Sequence, residues 1–154
     1  MTTGSAADRI RASASEAVAA GRMPDGATRL LAIGWATVEL DRAVVELAGV
    51  LAAPPIHAVA SIALGAHCRI ASFPLEDGTD LGLAILEPSS EGRLAAALAR
   101  WDEGPLVAWY AVTTLEGSTQ VHPGPFGPER LVAGDPLTGP HRLVVVTGPG
   151  TIPP

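Results

Sequence analysis

Between Arg29 and Pro88 the chain is punctuated so that one order of elements fits it, β-α-β-β-β. Leu30 to Leu40 is a largely apolar run with β-branched members, long enough for a strand. Asp41 can cap a following helix, in which Val44, Leu47, Ala48 and Leu51 recur at helical spacing until Pro54-Pro55 stops it. His57 to Phe73 holds two short strands broken near Gly65, and Pro74-Leu75-Glu76-Asp77-Gly78 is turn chemistry. Asp80 to Glu87 is another strand, stopped by Pro88.

The flanks are weaker versions of the same grammar. Ser5 to Gly21 is an Ala-rich helix with a thin apolar stripe (Ile10, Ala14, Ala17, Val18), expected to lie outside the main core. Ser89 and Ser90 can cap a further helix with Leu94, Leu98 and Trp101 on one face, and Leu106 to Thr114 is a strand. The Pro- and Gly-rich tail offers strands at Leu131–Ala133 and Leu143–Val146, without room for a second complete copy. The expected class is α+β: βαβββ modules forming a curved mixed sheet with a cupped cavity. Residues 1–28 would be a helical extension, 29–88 the first module, 89–104 a linking helix and 105–154 an abbreviated second module.

Composition removes whole classes of function. Sixteen acidic against ten basic residues give a net charge of −6 with no basic run, which disfavours a phosphate-backbone partner, so no nucleic acid is expected. All ten bases are Arg; without Lys there is no Schiff-base chemistry and no Walker-type phosphate loop. One cysteine, Cys68, excludes an internal disulfide and a Cys-cluster zinc site. No apolar run reaches bilayer length and no signal-like apolar segment opens the chain. A cytoplasmic protein with no membrane partner is expected.

Three stretches carry a resemblance. They are Leu30-Leu31-Ala32-Ile33-Gly34-Trp35-Ala36-Thr37-Val38-Glu39-Leu40-Asp41-Arg42-Ala43, then Arg69 to Thr79 with Leu83-Ala84-Ile85-Leu86-Glu87-Pro88, and Asp102 to Val112 after its helix. In order and spacing this half of the chain resembles the vicinal oxygen chelate superfamily, the glyoxalase, bleomycin-resistance and extradiol-dioxygenase group, and looks most like its methylmalonyl-CoA epimerase branch. That resemblance implies a divalent metal held in the concave face of a curved sheet. Its ligand positions fall here on Ala32, on Ala84 and on Val107 (Leu106 if the register slips by one), and the last on the strand Leu143-Val144-Val145-Val146. Alkyl groups offer no lone pair, so no metal and no cofactor is expected.

Alternation along the strands then puts Ala32 with Gly34, Ala84 with Gly82, Leu86 and Asp80, and Val107 with Trp109 on one small, apolar cavity floor. His67 and Asp80 are the candidate acid–base residues; His57, His122 and His141 read as solvated or turn histidines, Cys68 as inert, Glu87 as structural and Trp101 as core. The expected function is a metal-independent isomerase, cyclase or lyase acting on a hydrophobic or aromatic metabolite. The alternatives are a non-catalytic binding or resistance protein, or a decayed partner subunit of a related enzyme. Exposed sheet edges left by the short second half suggest a homodimer, or a heterodimer with a related chain.

Overall fold

The computed structural model describes residues 4–19, 21, 23–89, 91–113, 121–132 and 141–146. In chain order the elements are α1 (Ala6–Ala17), β1 (Ala27–Ala36), α2 (Leu40–Leu47) with a 3-10 turn Ala48–Val50, β2 (Ile56–Ser61), β3 (Ala66–Pro74), β4 (Asp80–Pro88), α3 (Arg93–Trp101), β5 (Gly104–Val112), β6 (Glu129–Leu131) and β7 (His141–Val146). The strands make one curled, mixed sheet in the order β2-β3-β4-β1-β5-β7-β6. β1 runs parallel to β4 and β5 runs parallel to β7, while β1 and β5 meet antiparallel at the centre. The α+β class and the cupped sheet are as the sequence implied.

Alternation sorts the side chains into two cores. Ile33, Trp35, Leu83, Ile85, Ala108, Tyr110 and Val144 face α1 and α2. Ala32, Ala36, Ala84, Leu86, Val107, Trp109, Leu143 and Val145 face the other way, where Leu94 and Leu98 of α3 close one end. The presumed cavity floor is therefore one contiguous surface.

Several sequence expectations need correction. α1 belongs to the main core: Ile10 is fully buried and Ala14 and Ala17 pack with it against β1 and β5. Its stripe looked thin because alanines allow the backbone to approach the sheet without bulk. The Tyr110 hydroxyl donates to the Ala17 carbonyl at 2.8 Å, satisfying an acceptor at the helix end, and the Arg9 guanidinium lies 5.0 Å from the Trp35 ring.

Asp41 does not cap α2; Glu39 holds that position without a side-chain bond, and Asp41 sits in the first turn, reaching Arg69 at 3.1 Å. The orphan amides are met from across the sheet instead. Leu40 N–H donates to Glu87 Oε1 at 2.7 Å and Val38 N–H to Glu103 Oε2 at 3.0 Å, placing two acids at the positive end of the helix dipole. Glu87 is thus structural, but for the preceding helix. The helix α3 starts at Arg93 behind Gly92, with no side-chain cap; Ser89 donates its N–H to the Gly65 carbonyl, and Ser90 lies outside the described residues. Trp101 is 36% exposed rather than core, with the Arg100 guanidinium 5.3 Å from its ring. The predicted strand ends at Thr114 and Ala133 also fall outside the described residues.

Because Ile10 is buried completely, Ile10→Ala should cost about 2–5 kcal/mol of stability, as large-to-small core substitutions do. Chemical denaturation of both proteins checks this; a loss within error of zero would return α1 to the periphery.

Candidate functional site

The buried ionisable group of the cup is one that the sequence reading missed. Glu129, the first residue of β6, pairs with Val145 and is fully buried among the apolar side chains of the concave face. Its Oε2 accepts from Ser61 Oγ at 2.5 Å, and its Oε1 accepts from the Trp109 indole Nε1 at 2.9 Å. Ser61 ends β2 at one edge of the sheet, and Glu129 opens β6 at the other, so the carboxylate joins both edges to the central strand β5. Ser61 Oγ in turn accepts from Leu64 N–H at 3.3 Å.

The backbone on either side is built for this approach. His122 and Glu129 exchange both backbone hydrogen bonds, at 2.9 and 2.7 Å, and close the loop His122-Pro123-Gly124-Pro125-Phe126-Gly127-Pro128-Glu129. A methyl group on Gly124 would overlap the Glu129 carboxylate oxygen, so that position requires glycine. Burial pushes the Glu129 carboxyl above its ordinary range, against the opposing pull of Ser61, Trp109 and the nearby His122. A carboxyl raised in this way holds a proton at higher pH than a surface glutamate and, once ionised, is the stronger base.

The other residues singled out from the sequence divide cleanly. Ala32, Ala84, Val107 and Trp109 are all fully buried on the same surface, and Gly34 lies on it too, where a Cβ would collide with Trp109, Leu86 and Val107. His67 is exposed; it pairs with Glu87 and alternates with Cys68, which faces the cup opposite Leu86, so His67 points away from that surface. Asp80 is exposed at the first residue of β4, opposite Pro74. Neither reaches Glu129 by a hydrogen bond, and the structure brings no two of His67, Asp80 and Glu129 together. Cys68 is buried and its thiol is pushed up to about 12 by burial, which fits an inert side chain. His122, read as solvated, is half-buried beside Glu129; His57 is exposed; His141 opens β7 opposite Val107 instead of lying in a turn.

The donor set does not suit a metal. The positions that the resemblance assigned to ligands are occupied by hydrocarbon, and among the described residues no group of three or more His, Cys, Asp or Glu stands close enough to hold an ion. Glu129 lies one strand away from the expected last ligand position, facing Val145 across β6 and β7, with both oxygens engaged by protein donors.

With the cup in view, the comparisons decide the architecture. A Streptomyces coelicolor methylmalonyl-CoA epimerase variant in complex with 2-nitronate-propionyl-CoA aligns with a TM-score of 0.62 and 18% identity, over 78% of this chain and 97% of that one. The chain has the vicinal oxygen chelate fold. The methylmalonyl-CoA epimerase from Mycobacterium tuberculosis aligns with a TM-score of 0.64 and 16% identity, over 80% of this chain and 91% of that one. A hypothetical protein from Bacillus halodurans aligns at 0.54 and 16%, over 75% and 91%. No protein-family model and no curated protein sequence matches. No helix among the described residues is long and apolar enough to cross a membrane.

The buried carboxyl sets a pH signature. Its folded pKa is raised, so the folded state binds the proton more tightly than the unfolded chain, and stability from this group falls as pH rises from the ordinary Glu value through the raised one. Glu129→Gln, which can keep an oxygen toward Trp109 and an NH₂ toward Ser61, should remove that fall. The variant should gain thermal stability relative to the wild type as pH rises from 4 to 8, in scans followed by circular dichroism; a difference that is flat with pH would contradict the raised carboxyl.

Proposed function

We propose that this protein is a metal-independent, proton-transferring isomerase of the vicinal oxygen chelate fold, acting on a small hydrophobic or aromatic carbonyl compound. The observation that carries the reading is a single carboxyl of raised pKa, desolvated in an apolar cup, at the face where this fold does its chemistry. A free surface carboxylate is too weak a base to remove a carbon-bound proton near neutrality, and desolvation makes Glu129 stronger.

The step balances within the carboxyl and the substrate. Glu129 takes the proton from the carbon next to the carbonyl, the C–H electron pair moves to form the enolate double bond, and the carbonyl oxygen takes the charge. Return of a proton by the same carboxyl, on the same face, to the neighbouring position of the extended enolate completes an isomerisation without oxidant, reductant or metal, and exchange of the carboxyl proton with solvent while the enolate persists is what D₂O reads. Ser61 and Trp109 position the carboxyl, each through one bond to one oxygen. The apolar floor of Ala32, Ala84 and Val107 excludes the water that would otherwise quench the enolate.

A second reading has its own support. The alkyl floor with one indole beside it has the chemistry that a protein holding a hydrophobic molecule without converting it would use.

Exchange of carbon-bound hydrogen with D₂O separates the two. In chelator-treated protein, aromatic ketones and 2-substituted acyl thioesters (methylmalonyl-CoA, the ligand class of the epimerase neighbours, among them) are followed by proton NMR. Catalysed exchange that drops at least about a hundredfold in Glu129→Gln is expected, the scale of a lost general base. Binding without exchange would favour the second reading, and exchange indifferent to Glu129→Gln would remove this carboxyl from the chemistry.

A further inference from the structure

The loop that leads into Glu129 carries one large apolar side chain, Phe126, and that side chain turns inward. Its ring lies 5.1 Å from the Trp109 ring, edge to face at 66°. On the opposite side its Cε1 would be 3.2 Å from a Cβ on Gly82, whose own neighbour is Ala32. One phenyl ring therefore fills the gap between the indole and a floor of glycine and alanine, beside the buried carboxyl.

The way Phe126 is held differs from the rest of this core. The residues around it on β1, β4, β5 and β7 are fixed in the sheet, whereas Phe126 sits at the tip of a Pro- and Gly-rich loop whose two ends are clamped by the His122–Glu129 bridge. Within the loop the Gly127 amide donates to the Gly124 carbonyl at 3.3 Å, and Gly127 has φ +127°, a conformation that side chains rarely adopt. The bridge that positions Glu129 is made by the His122 and Glu129 backbones, so no tip residue takes part in it. Phe126 is also only partly buried, while Trp109 beneath it is fully buried.

We infer that Phe126 is an internal occupant of the substrate's place, and that the molecule this cup accepts carries a planar ring which displaces the Phe126 phenyl and takes its edge-to-face place against Trp109, with its carbonyl-bearing substituent directed at Glu129. The inference rests on the proposed proton-transfer reading and names its substrate class, an aryl ketone or aryl-substituted carbonyl compound. Phe126 is then a specificity-determining residue. A flat ring can take the slot it vacates, a saturated ring is too thick, and an open chain leaves the gap between indole and floor unfilled. The loop also taxes binding, because the apparent dissociation constant is the intrinsic one divided by the fraction of molecules with the tip withdrawn.

The chain has two phenylalanines, Phe73 and Phe126, and Phe73 lies in the opposite core, which makes a clean experiment. The full-length protein is labelled with 4-fluorophenylalanine, the two fluorine resonances are assigned with Phe126→Leu, and acetophenone, cyclohexyl methyl ketone and 2-octanone are titrated in turn. Acetophenone should shift the Phe126 resonance toward its solvent-exposed position, leave Phe73 unmoved, and bind more tightly than either other ketone. Phe126→Ala should bind acetophenone at least about tenfold more tightly than the wild type, since the withdrawal cost is gone. A Phe126 resonance that stays in place under saturating acetophenone overturns the inference, as does equal affinity in Phe126→Ala or failure of all three ketones to bind the wild type. Each of these leaves the Glu129→Gln exchange result untouched, so the two readings fail separately.

Discussion

The Glu129 carboxylate is the tie on which this architecture depends. A seven-stranded sheet has two edges, and its curl brings β2 and β6 round the same concave face. One carboxyl group spans them, accepting from the Ser61 hydroxyl on one edge strand and from the Trp109 indole N–H at the centre while belonging to the other edge itself. Burying a carboxyl among alkyl groups is unfavourable by itself, and the two donors offset that cost only if both are placed well. Trp109 is placed by the sheet, Ser61 by the end of β2, and the space for the carboxylate by the missing side chain at Gly124.

The helical side of the sheet uses carboxylates in the opposite sense. Burial also presses Glu103 upward, yet the Val38 amide and the Arg42 guanidinium outweigh it and hold this carboxyl below its ordinary range. Glu103 is therefore an ionised anchor for the start of α2, with Glu87 beside it on the Leu40 amide. One sheet thus carries a carboxyl that favours its proton on the concave face and a carboxyl that gives its proton up on the helical face. The difference comes from donors: Glu103 faces a guanidinium, whereas Glu129 faces only neutral donors, with a half-buried imidazole nearby.

The fold was legible because its punctuation is local. Pro54-Pro55, the Pro74–Gly78 turn and Pro88 sit where elements stop, and strand alternation correctly put Ala32, Ala84, Val107 and Trp109 on one surface. What was not legible depends on contacts distant in sequence. The N-terminus of α2 is satisfied by residues 47 and 65 positions away, so a local cap at Asp41 was the wrong place to look. Glu129 follows a run of prolines and glycines and resembles a solvated loop acid; its burial depends on Trp109, 20 positions earlier, and Ser61, 68 positions earlier. The one local hint is that Glu129 and Leu131 alternate on a short strand whose apolar member faces inward, which brings the acid inward with it.

The Tyr110 hydroxyl on the Ala17 carbonyl has a practical consequence. It fastens the first helix to the reverse of the strand whose front carries Trp109. Anything fused ahead of Ser5, such as a purification handle or a tether to a sensor chip, hangs behind the sheet, on the side away from Trp109 and Glu129.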